Sequence, residues 1–439
     1  MKASDSKIAA IDLYRHHVSS GKVDFFKRYG MDFVMGRREG PYIYDIDGEK
    51  RLFNLHCNGG VFNLGHRHPE LVEVLKSALD NFDIGNHHLM SRERALLAEM
   101  LADLMPGDLN YTIFGVGGGE AVDLAIKVAR GYTGRSNIIS ARGGYHGHTG
   151  LAMATGDAKY RAAFGPQPAG FSQVPFNDLS ALQTALDSNA AAVILETVPA
   201  TLGMVIPNEG YLATVSDLCR KNGTLLIIDE VQTGLGRTGK LWGFEHFDII
   251  PDIVVLGKGL SGGLYPLSAT VLQEPLEQVF HADPFIHIST FGGSEIGCQI
   301  GRRVLEISSA PDFLNQVNKS ATQFSYNLDV LQSNHTKFFK GVRQLGLMVG
   351  LELVDENSGP ILTKAAFDHD ILLVYAGNNP SVSQFLPPLN LNSSQIDVVC
   401  DQLGGALNSA WRLRKLFRSK QKIQNLWGRV SAPRNREEN

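Results

Sequence analysis

Two short apolar runs, each followed by an ionisable residue, constrain the fold of this chain more than any other feature. Residues 224–228 lead into Asp229, and residues 253–256 lead through a glycine into Lys258. A continuous apolar run is typical of a central parallel strand, which is buried on both faces. Ligands in open α/β sheets bind just outside the carboxyl ends of such strands. We therefore expect Asp229 and Lys258 to face one crevice.

Strand-like and helix-like segments alternate from about residue 95 to residue 300. This order predicts an α/β fold with a large domain whose central sheet is mostly parallel and covered on both faces. The expected strands are 137–140 and 191–196, and the expected helices are 91–105, 120–130 and 210–222.

The two ends of the chain differ from this core. A hairpin is expected at 42–48, where Asp-Gly marks a turn, and a strand at 347–353. Both lie outside the βα core, so we expect the two termini to build one smaller α+β domain together. The expected division is 1–62 for the N-terminal part of the small domain, 63–305 for the large domain, 306–411 for the C-terminal part of the small domain, and 412–439 for a basic extension.

Composition excludes several classes of protein. The chain has 439 residues, 43% of them hydrophobic and 20% charged, with a net charge of -4. This is ordinary globular composition without a basic field, so we expect no nucleic-acid partner. The four cysteines form no CxxC pair, so neither a metal site nor a disulfide framework is expected. The N-terminus lacks a signal-peptide core and no apolar run reaches membrane-spanning length, so we expect a cytoplasmic protein without a membrane partner.

A lysine opposite a carboxylate suits pyridoxal 5'-phosphate. Desolvation and nearby cations can lower the pKa of an amine enough for Schiff-base chemistry. The acid would keep the pyridine nitrogen protonated while the lysine forms the imine. Taken singly, Lys258 could be a solvated strand-end residue and Asp229 a helix or turn cap.

Two glycine-rich segments fit the same cofactor. Gly115–Glu120 directly precedes an expected helix, whose free N–H groups could hold a phosphate; a plain glycine turn is the alternative. Tyr145 follows the next strand and could stack on a flat ring, whereas His146 and His148 lack further ligands for a metal. Residues 234–239 match GxGxxG without the strand-to-helix context of a dinucleotide site.

In this order the segments resemble the class III (omega-) aminotransferases, which are fold-type-I enzymes that depend on pyridoxal phosphate. The resemblance covers roughly residues 30 to 405. It rests on residues 63–69 (NLGHRHP), the glycine segment, 145–147 (YHG), 229–234 (DEVQTG), 257–259 (GKG), 290–293 (TFGG) and 385–389 (FLPPL).

The resemblance implies catalytic and ring-binding roles. Lys258 is similar to the family's Schiff-base lysine, which also moves the substrate proton, and Asp229 to the partner of the pyridine nitrogen. Val231 and Tyr145 would pack on the two ring faces, and Gln232 would bond near the ring hydroxyl.

The family resemblance also implies which residues bind the cofactor phosphate and how two subunits assemble. Gly118 and Gly119 would offer backbone N–H groups to the phosphate, and His146 belongs to the same cofactor-binding set. Thr290 is similar to a family threonine that reaches the phosphate of the neighbouring subunit. That role implies a homodimer with shared active sites.

The chain also departs from its family. Many relatives have serine or threonine where this chain has Gly117 and Gly119. Relatives that accept 2-oxoglutarate tend to carry an arginine where this chain has Gln384, and a glutamate where it has Thr201. A neutral amide cannot form a bidentate ion pair with a carboxylate. We interpret this as loss of the usual α-carboxylate clamp; the alternative is that another arginine serves.

The expected function is transfer of an amino group between an amine or amino acid and a carbonyl acceptor. The alternative is an aminomutase, epimerase or decarboxylating enzyme of the same family. A third hypothesis is a cofactor-binding scaffold without catalysis. The basic stretch after residue 412 is expected to be a solvated helix and tail, and docking to an acidic partner is its alternative.

Overall fold

The computed structural model describes residues 6–85 and 89–430, with side chains described as far as residue 416. Within these ranges the strands are β1 (Met35–Glu39), β2 (Tyr42–Asp45), β3 (Arg51–Asn54), β4 (Leu109–Gly115), β5 (Asn137–Ala141), β6 (Phe171–Val174), β7 (Ala190–Glu196), β8 (Leu225–Asp229), β9 (Ile253–Leu256), β10 (Ser268–Gln273), β11 (Phe339–Leu345), β12 (Met348–Leu353), β13 (Ile371–Leu372), β14 (Val374–Ala376) and β15 (Asn379–Phe385). The helices are α1 (Lys7–His17), α2 (Ser20–Arg28), α3 (Cys57–Gly60), α4 (Pro69–Ala78), α5 (Arg92–Leu104), α6 (Gly118–Thr133), α7 (Gly150–Thr155), α8 (Ala158–Arg161), α9 (Leu179–Ala185), α10 (Tyr211–Asn222), α11 (Glu295–Ser308), α12 (Pro311–Asn334), α13 (Ser358–Asp368) and α14 (Ser393–Val430).

A seven-stranded sheet forms the centre of the large part of the chain. Its order is β4-β10-β9-β8-β7-β5-β6. The neighbours from β9 to β6 are parallel, and β10 runs antiparallel to both β4 and β9. The expectation of an α/β fold with a mostly parallel sheet is confirmed.

The central strands are apolar at successive positions because helices cover both faces of the sheet. Ile194 and Ile227 pack with Val122 of α6 on one face. Val193 and Ile228 pack with the opposite layer on the other face. Each such side chain contributes about 1.5–3 kcal/mol when it is fully removed from water.

The register of these strands sets the position of the site. Glu196 is paired with Asp229, and Asp229 with Val255. The carboxyl ends of β7, β8 and β9 are therefore level. Lys258 follows β9 by two residues and emerges beside the two carboxylates.

The two ends of the chain share a second core. β3 pairs in parallel with β13, and Phe53 packs in one cluster with Phe324 and Phe385. This packing supports a small domain built from both termini. The limits of the four segments remain predictions, and the expected breaks after residues 305 and 411 fall inside α11 and α14.

The expectation of a fully solvated basic helix after residue 412 is wrong for Arg414. Its side chain is buried and its Nη2 lies 2.5 Å from Oδ2 of Asp355. Arg412 and Lys415 are exposed, as expected, and the predicted basic side chains from Arg418 onward lie beyond the described side chains. In the part of the chain with described structure, no helix has the length and apolarity needed to cross a bilayer.

Candidate active site

A cavity of about 150 Å³ opens at the carboxyl ends of β7 and β8. Eight of the nine predicted site residues line it, and Thr290 is the exception. The lining residues are Gly118, Gly119, Tyr145, His146, Gly147, Glu196, Val198, Asp229, Val231, Gln232, Thr233 and Lys258.

Asp229 is a buried carboxylate that is held at both oxygens. Oδ2 lies 2.8 Å from Nδ1 of His146, and Oδ1 accepts a 3.0 Å hydrogen bond from the backbone N–H of Val231. Burial opposes protonation of the imidazole, but the hydrogen bond and charge of Asp229 outweigh it and raise the pKa of His146. The imidazole and the backbone N–H of Val231 therefore hold the carboxylate in one orientation at the cavity.

Lys258 enters the cavity from a strained backbone. Its φ is 40°, in the left-handed region that residues with a side chain rarely adopt. Its Nζ donates a 3.0 Å hydrogen bond to Oε1 of Gln232. Desolvation lowers the pKa of Lys258, although Asp229 and Glu196 act in the opposite direction. The site therefore favours a neutral amine, which is the nucleophilic form.

The glycine segment forms a cradle that has no room for side chains at Gly118 and Gly119. A Cβ on Gly118 would lie 3.2 Å from Cγ1 of Val231, and one on Gly119 would lie 2.6 Å from Oγ1 of Thr149. α6 begins here without a side-chain cap at Gly117, so its first N–H groups have no capping acceptor. A helix N-terminus of this kind favours an anion.

Tyr145 is fixed over the cavity from two sides. Its backbone N–H donates a 2.9 Å hydrogen bond to Oε1 of Glu196. Its ring packs edge-on against His148 and Tyr160, with centroids 5.0 and 6.1 Å away. These contacts orient an aromatic ring at one wall of the site.

Glu196 is the main site residue that the sequence interpretation missed. It is buried beside Asp229, and burial, aided by the charge of Asp229, raises its pKa to about 7. The sequence placed Glu196 at the end of a buried strand but offered no sign that its side chain turns into the cavity. Gly147, Val198 and Thr233 also line the cavity and were not predicted as site residues.

The two departures at the expected carboxylate clamp, Thr201 and Gln384, lie outside this cavity lining. Thr201 donates a 3.0 Å hydrogen bond from its hydroxyl to the carbonyl of Gly143. Gln384 is buried in β15, where it is paired with Gly350 and Val374. Neither side chain brings a charge to the site.

Thr290 lies on the surface, away from the cavity of its own chain. It is exposed, and exposed apolar residues flank it, including Ile288 and Phe291. Within one chain, Thr290 therefore lies apart from the other eight predicted site residues.

Comparison with known proteins identifies the family. Residues 26–407 match the model of the family described as aminotransferase class-III. The chain belongs to the class III aminotransferases. A relative from Archaeoglobus fulgidus, named as an uncharacterized aminotransferase, is 52% identical over 410 residues, which are 93% of this chain and 96% of the relative.

Solved structures of aminotransferases have the same fold. An (S)-enantioselective omega-transaminase from Thermomicrobium roseum superposes with a TM-score of 0.83 at 28% identity, covering 92% of this chain and 98% of that one. The ornithine aminotransferase of Toxoplasma gondii, with partial occupancy of PLP at its active site, superposes with a TM-score of 0.82 at 25% identity, covering 92% and 99%. The resemblance expected from sequence is confirmed.

This class III aminotransferase therefore uses pyridoxal phosphate to transfer an amino group. The cavity fits that cofactor: a Cβ on Gly118 or Gly119 would crowd the cradle, and the Nε2 donor of Gln232 is buried without a hydrogen-bond partner. Polar groups without partners are costly in a protein interior, so this donor calls for a ligand acceptor.

Proposed function

We propose that this aminotransferase acts on donors whose amino-bearing carbon carries no carboxylate. One observation supports the proposal most: Lys258 is the only lysine or arginine among the residues that line the cavity. The charged neighbours of Lys258 there are the carboxylates of Asp229 and Glu196. A substrate carboxylate would meet repulsion without an arginine to pair with.

We assign the chemistry to residues already described. Bound pyridoxal phosphate supplies a ring that accepts electrons from the substrate carbon. Lys258, with its lowered pKa and its bond to Gln232, holds the amine that takes up and returns a proton at Nζ. Asp229 would pair with the ring nitrogen, since hydrogen bonds with His146 and the N–H of Val231 hold its carboxylate in place. The N–H groups of Gly118 and Gly119 would bind the phosphate, while Tyr145 and Val231 would enclose the ring.

A matched pair of donors tests the substrate class. Phenethylamine and phenylalanine differ only in the carboxylate, and the half-reaction of each with the purified holoenzyme is followed through the cofactor's absorbance. We expect the amine to have a kcat/KM at least about tenfold higher. Equal constants, or a preference for phenylalanine, would refute the proposal.

The same experiment addresses the alternative outcome. An aminomutase, epimerase or decarboxylase of this family needs no keto-acid acceptor. We expect turnover to stop after one half-reaction when no carbonyl acceptor is added. Continued product formation under that condition would favour the alternative.

We also propose a homodimer that shares its active sites through Thr290. Its exposure and its apolar surroundings support a contact with a second copy. A Lys258→Ala chain mixed with a Thr290→Ala chain should regain activity, because one site of the mixed dimer would then have both residues intact. Activity no higher than that of the two variants measured separately would count against shared sites.

Two further expectations remain proposals. A cytoplasmic location is supported by four free, buried cysteines, which suit a reducing compartment. Docking of the basic tail to an acidic partner rests on its composition alone, because most of its side chains lie outside the described residues.

A further inference from the structure

Arg237 is a fully buried guanidinium in the turn that follows the Asp229 strand. Its Nη1 donates to the carbonyls of Leu347, at 3.1 Å, and Pro387, at 2.6 Å. Its Nη2 donates a 2.6 Å hydrogen bond to Oδ1 of Asn63. The three acceptors come from distant parts of the sequence, so this one side chain joins them.

This buried cation has no carboxylate partner. In the described part of the chain, no acidic oxygen lies within ion-pair distance of Arg237. The Cys57 thiol lies beside the guanidinium, but burial raises the pKa of Cys57 to about 12, so the thiol is neutral at pH 7. A buried charge that is balanced only by dipoles is costly. Its presence suggests a role beyond stability.

Asn63 connects Arg237 to the catalytic lysine. A Cβ on Gly259, the residue after Lys258, would lie 3.1 Å from Nδ2 of Asn63. A Cβ on Gly60 would lie 3.3 Å from Oδ1 of the same amide. The amide therefore packs between the lysine segment and α3, while the guanidinium fixes it from behind.

α3 is strained and lies against the lysine amine. All four of its residues have positive φ, including Cys57 at 46° and Asn58 at 50°. A Cβ on Gly59 would lie only 3.2 Å from Nζ of Lys258. Side-chain-bearing residues stay in such conformations only when their surroundings hold them there.

We propose that Arg237 is a positioning residue whose hydrogen bond to Asn63 holds α3 against the amine of Lys258, while the Leu347 and Pro387 carbonyls fix the guanidinium itself. The inference rests on the proposed role of Lys258. It extends the active site to a residue that touches neither cofactor nor substrate. A lysine at this position keeps the charge but lacks the planar fork that reaches all three acceptors at once.

The test compares Arg237→Lys with Arg135→Lys in the holoenzyme. Arg135 is a matched control because its Nη1 also donates only to backbone carbonyls, those of Ala190, Asn222 and Gly223, at the opposite edge of the sheet. We expect Arg237→Lys to bind cofactor normally but to lose at least about tenfold in kcat. Arg135→Lys should retain the wild-type kcat.

Alkylation of the four buried cysteines gives a readout independent of catalysis. Iodoacetamide labelling followed by mass spectrometry should show Cys57 reacting at least about tenfold faster in Arg237→Lys, while Cys219, Cys298 and Cys400 keep their wild-type rates. Unchanged labelling of Cys57, or equal acceleration at all four cysteines, would overturn the proposal. The labelling pattern does not depend on whether Lys258 carries the cofactor. The hypothesis for Lys258 and the hypothesis for Arg237 can therefore fail independently.

A second variant keeps the test decisive if Arg237→Lys does not fold. Asn63→Ala leaves the guanidinium on its two carbonyls and removes only the link to the lysine segment. We expect the same selective labelling of Cys57 and a similar loss of kcat. Wild-type behaviour of Asn63→Ala would show that the link does not position α3.

Discussion

Replacing Glu196 with glutamine should change how stability depends on pH. The carboxyl is buried, and its pKa is raised from 4.5 to about 7. Because the pKa is higher in the folded state than in the unfolded state, the folded protein binds more protons between pH 4.5 and about pH 7. The free energy of unfolding contributed by Glu196 is therefore highest below pH 4.5 and falls as the pH rises through 7.

The expected size follows from the shift. At 1.36 kcal/mol per pH unit, a rise of about 2.5 units corresponds to roughly 3 kcal/mol. Glutamine does not titrate, and its oxygen can still accept the hydrogen bond from Tyr145. Any constant cost of the substitution is the same at every pH, so the difference between the two proteins isolates the titration.

Urea unfolding of the cofactor-free protein at pH 5 and pH 8 measures this difference. We expect Glu196→Gln to gain about 2–3 kcal/mol relative to wild type between the two conditions, since part of the full effect lies below pH 5. Glu49→Gln, at an exposed position, should follow the wild-type curve. Parallel curves for wild type and Glu196→Gln would refute the argument that this carboxylate is destabilised by burial.

Further predictions concern the cradle and the ring partner. Gly119→Ala places a Cβ 2.6 Å from the Thr149 hydroxyl and should weaken cofactor binding by at least about tenfold in a fluorescence titration, whereas Gly117→Ala meets nothing within 4 Å and should bind within about threefold of wild type. Comparable affinities for the two variants would contradict a close-packed cradle. Asp229→Asn keeps the shape of the carboxylate but removes the charge that would pair with the ring nitrogen of the cofactor, so kcat should fall by at least about a hundredfold; a loss below about fivefold would contradict the assignment.

The sequence predicted the fold well where hydrophobic pattern determines it. Runs such as 225–228 are apolar at every position because both faces of the sheet are covered by helices. The same reasoning predicted that Asp229 and Lys258 lie at one edge of the sheet.

The remainder of the site depends on tertiary contacts that no local pattern encodes. Glu196 faces the cavity because the backbone of Tyr145, fifty-one residues away, provides its hydrogen bond. Arg237 occurs in residues 234–239, where the sequence offered only a GxGxxG match without the context of a dinucleotide site. Its burial depends on Asn63 and Pro387, which are 174 and 150 residues away.

The most direct test of the account is reductive attachment of the cofactor. Borohydride treatment of the holoenzyme, followed by peptide mass spectrometry, should place the reduced cofactor on Lys258. Lys258→Ala should show no attachment and no turnover. Attachment to a different lysine, or turnover in Lys258→Ala, would contradict the central claim that this amine carries the chemistry.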